Sequence, residues 1–121
     1  MENRTELQPY SVLMSVYSGE NPEFFAQSLE SLYTQTYPAD EIVVVCDGEL
    51  NEQLDGVLEQ YSEKFGGKLK IHRLESHGGT AKCANTGLAI CKNEYIMKMD
   101  SDDICLENLS LIHISEPTRP Y

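Results

Sequence analysis

Residues 41–47, EIVVVCD, decide the fold, because this short run is apolar and β-branched without interruption until it ends in an acid. A run of this length that is apolar on both faces indicates a strand buried on both sides in a parallel sheet. Residues 10–17, YSVLMSVY, predict a second strand of the same kind. Residues 68–74, KLKIHRL, alternate as expected nearer the edge of a sheet, and residues 95–99, YIMKM, predict the fourth strand.

Helical patterns separate these strands. Apolar residues recur in each connecting segment at helical spacing, so that each segment presents one apolar stripe. The stripes are Phe25, Leu29, Leu32 and Tyr33; Leu54, Val57, Leu58, Tyr61 and Phe65; and Ala81, Ala84, Leu88 and Cys91. The order β-α-β-α-β-α-β predicts an α/β fold, a Rossmann-like, mostly parallel sheet with right-handed crossovers and helices on both faces.

Polar residues follow the predicted strands where such a sheet binds ligands, which is beyond the carboxyl ends of the strands. Tyr17 and Glu20 follow the first strand, Asp47 ends the second, and the run Asp100-Ser101-Asp102-Asp103 follows the fourth. Because the carboxyl ends of parallel strands share one edge of the sheet, we expect these residues to converge on one crevice.

The spacing of Asp100 and Asp102 indicates a metal ion. Alternate side chains of extended backbone share a face, so the two carboxylates would repel each other unless a cation lay between them. Carboxylate oxygens suit Mg²⁺ or Mn²⁺, whose remaining positions are usually filled by water and substrate phosphates. The alternative is that the D-S-D-D cluster is only a turn or a helix cap.

Other nucleotide-binding motifs are missing from the sequence. The first predicted strand is not followed by G-x-G-x-x-G, and no G-x-x-x-x-G-K-[ST] loop occurs, so phosphates would be held without a glycine-rich cradle. A phosphoacceptor receiver domain is a rival with acidic strand ends. It would place its acids after the first and third strands, whereas here they follow the second and fourth.

Composition restricts the class of protein further. A chain of 121 residues, 40% of them hydrophobic, suits one globular domain or a part of one. A net charge of −11 argues against nucleic acid as a partner, because phosphate backbones are bound by basic surfaces. No apolar stretch reaches the roughly 18 residues of a transmembrane helix, and no secretory signal is visible, so we expect a cytoplasmic protein.

Five segments together resemble one protein family in the family's own order. They are residues 10–17; residues 28–37, SLESLYTQTY; residues 41–48, EIVVVCDG; residues 78–87, GGTAKCANTG; and residues 94–104, EYIMKMDSDDI. Over about residues 10–105 the chain resembles the nucleotide-binding half of a family 2 glycosyltransferase with the GT-A fold. It is similar in particular to the bacterial enzymes that build extracellular and surface polysaccharides.

The resemblance implies roles for the acids. Asp47 would hold the nucleotide base or the ribose, and an ordinary helix cap is the alternative. Asp100 and Asp102 match the D-x-D pair of the family, in which the first acid faces the ribose and the second coordinates the metal, Mn²⁺ or Mg²⁺, on the diphosphate. We therefore assign both to the metal site and Asp100 also to the nucleotide.

The resemblance also assigns residues around the acids. Tyr17, Glu20 and Lys82 would lie near the nucleotide, although a solvated surface lysine is the alternative for Lys82. Gly87 belongs to the N-x-G of the family, which implies a role in packing. His77 is interpreted as a surface histidine, because that is the more common position for a lone histidine.

The reaction implied by the resemblance is transfer of a sugar with inversion. The donor would be a nucleotide-diphosphate sugar, most commonly a UDP-sugar, and the acceptor a glycan or a lipid-linked sugar in polysaccharide biosynthesis. A carboxylate that removes the acceptor proton is expected well downstream of Asp102, so the catalytic residue is unknown here. The alternative is a nucleotide-binding module or an inert fragment without turnover. A nucleotidyltransferase is a weaker rival, because this sequence lacks its glycine-rich basic loop.

We divide the chain into three parts. Residues 1–9 form a polar lead, residues 10–108 a partial GT-A donor-binding domain, and residues 109–121 a tail without family pattern. The tail resembles the translated read-through of a sequencing adapter, so we interpret it as non-native. We expect the 121-residue chain to be inactive in transfer, and the full-length protein to act in the cytoplasm, where it could approach the membrane face.

Overall fold

The computed structural model describes residues 9–35 and 38–101 of the chain. It contains the strands β1 (Tyr10–Val16), β2 (Glu41–Cys46), β3 (Leu69–Arg73) and β4 (Tyr95–Asp100). The helices are α1 (Pro22–Tyr33), α2 (Glu52–Phe65) and α3 (Thr80–Ile90), and a short 3₁₀ turn, Gly66–Lys68, joins α2 to β3. The strands pair in parallel in the order β3-β2-β1-β4. The predicted α/β fold is confirmed.

The strand ends differ from the predicted ones by one residue. β1 ends at Val16 and β2 at Cys46, so Tyr17 and Asp47 lie in the loops that follow. In the other direction β4 extends to Asp100, one residue beyond the predicted end. The differences place all three polar residues at the carboxyl edge of the sheet.

Two layers of helices cover the sheet, as predicted. α1 and α2 pack on one face of the sheet. Their residues Phe25, Leu29, Leu54 and Leu58 form one core cluster with the side chains that β1 and β2 direct towards that face. α3 packs on the other face through Cys83 against Leu13, Val43 and Val45. All six residues of β2 are buried, which is the position that its uninterrupted apolar run predicts.

Two of the predicted stripe positions were wrong. Tyr33 was expected in the core but is 48% exposed, because its ring lies at the end of α1 against Phe65. Ala81 is exposed, and the buried face of α3 is formed by Cys83, Ala84 and Gly87 instead. Ala81 lies on the first turn of α3, ahead of the part of the helix that meets the sheet.

Gly87 brings α3 close to the sheet. A Cβ built at this position would lie 2.0 Å from Leu13 Cδ1, which belongs to the buried core. The packing role implied for the N-x-G of the sequence agrees with this contact. The absence of a side chain at Gly87 therefore allows α3 to lie close to β1.

The helices begin at recognisable signals. Asn21 accepts hydrogen bonds from the amides of Glu23 and Phe24 at 2.8 and 3.2 Å, and Pro22 occupies the first position of α1. Asn51 caps α2 through the Leu54 amide at 2.9 Å. None of the described helices has the length and apolar character of a transmembrane span. The cytoplasmic location stays a prediction.

The amino edge of the sheet is held by a buried carboxylate, Glu41. Its side chain accepts from Ser11 Oγ at 2.5 Å, from Lys70 Nζ at 2.7 Å and from the Lys92 amide at 2.5 Å. These donors belong to β1, β3 and the loop between α3 and β4. Glu41 therefore joins three separate parts of the chain at the edge opposite the predicted site.

Candidate functional site

The carboxyl edge of the sheet places acids on both sides of β1. Val16 pairs with Cys46 in β2, and Ser15 pairs with Asp100 in β4. Asp47 follows Cys46 directly, and its amide donates to the Val16 carbonyl at 2.8 Å. From β1 the chain proceeds to β2 and β3 on one side and returns to β4 on the other, so the loops diverge here and leave a crevice.

Asp47 is buried and holds the loop that leads into α3. Its Oδ1 accepts from the Gly78 amide at 2.6 Å, and its Oδ2 accepts from the Gly79 amide at 3.3 Å and from His77 Nδ1 at 2.8 Å. Burial acts to raise the pKa of Asp47, but the amide hydrogen bonds and the His77 imidazole outweigh it, so the pKa is lowered. The carboxylate is therefore ionised at neutral pH.

These contacts resemble the helix cap that was the alternative role for Asp47, but they differ from an ordinary cap in one respect. The donors stand at the entry to α3, as in a helix cap, but the acceptor comes from the end of β2. An ionised carboxylate offers about four lone-pair sites, and the Cys83 thiol donates a hydrogen bond to it as well as these three groups, so the protein itself largely satisfies the carboxylate. The nucleotide contact of Asp47 stays a prediction.

Gly48 allows the loop before α3 to lie close to the end of β2. Its φ of 92° lies in the left-handed region that favours glycine, and a Cβ there would lie 3.2 Å from the His77 amide nitrogen. The loop would have to move away from β2 to accommodate a side chain. Gly48 thus positions His77 beside Asp47.

A cleft of about 270 Å³ opens at this edge. It is lined by Ser15, Val16, Tyr17, Asp47, His77 and Gly79. The structure therefore brings together Tyr17 and Asp47 among the predicted nucleotide residues. His77 is a surface histidine, as expected, with 71% of its side chain exposed, but its contact with Asp47 was not predicted. The signal available in the sequence was its position directly before the Gly-Gly pair at the start of α3.

Glu20 contacts the end of β4 instead of lining the cleft. Its Oε1 accepts a hydrogen bond from Ser101 Oγ, and its Oε2 accepts from the Asn21 amide at 3.0 Å. Ser101 is 6% exposed, and its carbonyl accepts from Ser28 Oγ at 2.9 Å. The nucleotide contact of Glu20 stays a prediction. Among the described residues, its carboxylate accepts hydrogen bonds from the Asn21 amide and from Ser101, which lies between Asp100 and Asp102 in the sequence.

Lys82 lies on the first turn of α3 and is exposed. Its aliphatic stem covers Gly78, where a Cβ would lie 2.5 Å from Lys82 Cδ. The side chain therefore begins above the loop that Asp47 holds, although it does not line the cleft.

The donor chemistry of the edge fits a divalent cation in part. Asp100 supplies an exposed carboxylate at the end of β4, a hard oxygen ligand of the kind Mg²⁺ and Mn²⁺ take. Asp102, the second predicted ligand, lies outside the described residues. Within the part of the chain that is described, no three His, Cys, Asp or Glu side chains cluster as a metal site. A cation held by Asp100 would need further ligands from elsewhere.

A second cleft, of about 230 Å³, lies at the opposite edge of the sheet, between the ends of α1 and α2. Its lining includes Leu32, Tyr33, Phe65 and two lysines, Lys64 and Lys68, and no acid. It is remote from the carboxyl ends of the strands. We therefore place the functional site at the cleft beside Asp47.

Comparisons with known proteins agree with this fold. Residues 11–114 match the family description "Glycosyl transferase family 2". The chain is 44% identical over 97 residues to the amylovoran biosynthesis glycosyltransferase AmsE of Erwinia amylovora, covering 80% of this chain and 36% of that protein. It is 32% identical over 95 residues to the UDP-Gal:alpha-D-GlcNAc-diphosphoundecaprenol beta-1,3-galactosyltransferase of Escherichia coli, covering 78% of this chain and 34% of that protein.

A solved structure shares the architecture. The complex of S. aureus TarS 1-349 with UDP-GlcNAc superimposes with a TM-score of 0.71 at 30% sequence identity, covering 87% of this chain and 29% of that one. The GT-A fold expected from the sequence is confirmed. The chain spans about a third of the length of the two curated relatives. Since the family match takes in most of the chain, from residue 11 to residue 114, the chain belongs to glycosyl transferase family 2.

Proposed function

We propose that this chain is the donor-binding half of a glycosyltransferase and takes a nucleotide-diphosphate sugar at the carboxyl edge of its sheet. The observation that carries the proposal is the cleft beside β1, where a buried, ionised Asp47 meets Tyr17 and His77. The similarity to TarS, solved with UDP-GlcNAc, supports a uridine nucleotide as the donor.

Asp47 is the group we assign to the base or the ribose. Its carboxylate is fixed by the Gly78 and Gly79 amides, so it is already oriented before a ligand arrives. A base N–H or a ribose hydroxyl would then share an oxygen of this carboxylate or replace its weakest donor, the Cys83 thiol. Tyr17, whose ring is half exposed beside the cleft, would form the wall against which the nucleotide lies.

The diphosphate needs a positive centre, because the described acids near this edge, Glu20, Asp47 and Asp100, would repel it. Asp100 and Asp102 are the residues we assign to Mn²⁺ or Mg²⁺. When bound, such an ion neutralises the charge that develops on the departing nucleotide diphosphate. Lys82, on the first turn of α3, is a second candidate for contact with the phosphates.

The chemical step would be direct displacement at the anomeric carbon with inversion. The acceptor hydroxyl attacks the carbon, its proton passes to a carboxylate, and the nucleotide diphosphate leaves. We assign that carboxylate to the longer protein, since the relatives extend over about three times the matched length. The name of the E. coli relative supports a lipid-linked acceptor, and that of AmsE supports polysaccharide biosynthesis.

The test is whether the purified protein recognises nucleoside diphosphates as a class. We expect UDP with Mn²⁺ to raise the melting temperature, UMP to do so less, and free uridine least, because the diphosphate contacts the metal. GDP and dTDP identify the preferred base. His72→Ala, on the edge strand β3 and outside the cleft, is the control. A protein that is folded and unaffected by all three diphosphates would contradict the proposal and favour a module of another function.

A further inference from the structure

Ser101 lies between the two predicted metal ligands and is held from both sides by the segment that follows β1. Its hydroxyl donates to Glu20 in the loop between β1 and α1. Its carbonyl accepts from Ser28 Oγ at 2.9 Å, and Ser28 is fully buried in α1. Both the side chain and the backbone of Ser101 are therefore fixed by residues more than seventy positions away in sequence.

The burial of Ser101 is related to the orientation of the neighbouring Asp100 side chain. Ser101 is 6% exposed, whereas Asp100 at the end of β4 is exposed. Because neighbouring side chains at the end of a strand point in opposite directions, drawing Ser101 inwards turns the Asp100 carboxylate outwards. The orientation of a predicted metal ligand thus depends on the partners of the residue beside it.

Glu20 is itself fixed. Its amide donates to the Tyr17 carbonyl at 3.1 Å, closing a turn. Its second carboxylate oxygen accepts from the amide of Asn21, which caps α1. The hydrogen bond from Ser101 Oγ to Glu20 joins this loop to the end of β4, so this contact can transmit the position of the loop to β4.

We propose that Glu20 and Ser28 are positioning residues for Asp100, the predicted metal ligand at the end of β4: they hold Ser101, and so direct the Asp100 carboxylate outwards. This inference rests on the proposed function for the presence of a metal ion. The hydrogen bonds that hold Ser101 do not depend on that function. Partners that orient metal ligands typically contribute about 10 to 100-fold in metal affinity. Glu20 then acts on the metal through Ser101 and not by touching the nucleotide.

The experiment compares Glu20→Ala, Glu20→Gln and Ser28→Ala with wild type. Glu23→Ala is the matched control, because Glu23 is an exposed acid only three positions away, on the first turn of α1. Mn²⁺ affinity is measured from the free-ion electron paramagnetic resonance signal at saturating UDP. UDP affinity is measured separately in the absence of metal, and thermal unfolding reports the fold.

We expect Glu20→Ala to weaken Mn²⁺ binding about tenfold and Glu20→Gln, which keeps an acceptor, to weaken it less. Metal-free UDP affinity should be unchanged in both. Equal loss of UDP affinity with and without metal would overturn the proposal and make Glu20 a nucleotide contact. Unchanged Mn²⁺ affinity in folded Glu20→Ala and Ser28→Ala would also overturn it.

A second readout requires no ligand. Hydrogen–deuterium exchange of the peptide that covers residues 95–101 should be faster in Glu20→Ala and Ser28→Ala than in Glu23→Ala. Faster exchange together with a wild type that binds neither Mn²⁺ nor UDP would support the positioning of Ser101 and contradict the proposed function instead. Unchanged exchange would overturn the positioning whatever the protein binds.

Discussion

At the scale of single residues, Asp47 contributes to the fold and to the proposed site at once. It lies at the end of β2, yet its donors are the amides that lead into α3 and the imidazole of His77. Removing the carboxylate would leave the part-buried Gly78 and Gly79 amides without an acceptor that carries a charge, and hydrogen bonds to charged groups contribute more than neutral ones.

Asp47→Ala should lower the free energy of unfolding by roughly 1–3 kcal/mol, because the Gly78 and Gly79 amides lose their acceptor. It should also weaken UDP binding without abolishing the effect of metal. His77→Ala is the control for the fold, since its exposed pair with Asp47 should contribute about 0–1 kcal/mol. Urea unfolding measures both. Equal stability of Asp47→Ala and wild type would show that the loop is held by other contacts.

The sequence analysis predicted which residues end the strands but not all of their partners. Tyr17 and Asp47 meet in the cleft, as convergence at the carboxyl edge requires. The partner of Glu20 is Ser101, and local patterns carry no signal of a contact between residues so far apart in the chain. His77 is exposed, as predicted, but a single histidine in a polar loop carries no pattern that would reveal its contact with Asp47.

At the scale of elements, the alternation of apolar runs and helical stripes predicted every strand and helix of the described chain. The apolar run of β2 predicted its central place, because only a strand covered on both faces is apolar at each position. The face of α3 was predicted less well. Its stripe contains small residues. The close approach at Gly87 depends on the absence of a side chain, and hydrophobic periodicity does not detect that absence.

Gly87→Ala tests that close approach. The added methyl would meet Leu13 Cδ1 at 2.0 Å in a buried position, so we expect a loss of roughly 1–3 kcal/mol in the free energy of unfolding. Gly56→Ala in α2 is the matched control, because nothing lies within 4 Å of its built Cβ. There the better helix propensity of alanine should stabilise by about 0.5–1 kcal/mol. Destabilisation of both variants by the same amount would contradict the packing argument.

Glu41 should make the stability depend on pH in the acid range. Burial acts to raise its pKa, but the hydrogen bonds from Lys70, Ser11 and the Lys92 amide outweigh it, and the pKa in the folded protein lies below the ordinary value of 4.5. The unfolded chain therefore takes up the proton first as the pH falls. The stabilisation is fully present above pH 4.5 and is lost as the pH falls through the lowered folded pKa.

Urea midpoints measured from neutral pH down to the acid transition test this behaviour. Glu41→Gln should be less stable than wild type at neutral pH and should lose less stability on acidification, because it has no proton to take up. Glu59→Gln, an exposed acid of α2, is the control and should follow wild type. Parallel pH curves for wild type and Glu41→Gln would show that other carboxylates determine the acid transition.

At the scale of the whole molecule, the chain belongs to family 2 and has its sheet-and-helix architecture over about a third of the length of its curated relatives. The parallel sheet and the two helical layers follow from the sequence pattern, whereas the strand order β3-β2-β1-β4 comes from the structure. The D-x-D acid Asp102 and the tail, residues 109–121, lie outside the described residues, so the metal ligand and the non-native tail stay predictions.

The 121-residue chain should bind a nucleotide-diphosphate sugar without transferring it. Inverting transfer needs a carboxylate within hydrogen-bond reach of the acceptor hydroxyl, and we assign that group to the longer protein. The measurement is release of UDP and formation of glycosylated lipid-linked acceptor, for this chain and for a protein extended to the length of its relatives. Acceptor-dependent transfer by the short chain would show that the base lies within these 121 residues.

We propose above all that the carboxyl edge binds a nucleoside diphosphate through a metal ion held by the D-x-D acids. Calorimetric titration of UDP into the protein with Mn²⁺, with Mg²⁺ and with a chelator is the decisive experiment. We predict clearly tighter binding with either ion, and loss of most of that gain in Asp102→Asn, whereas Glu23→Gln behaves as wild type. Equal UDP affinity with the ions and with the chelator would contradict the account.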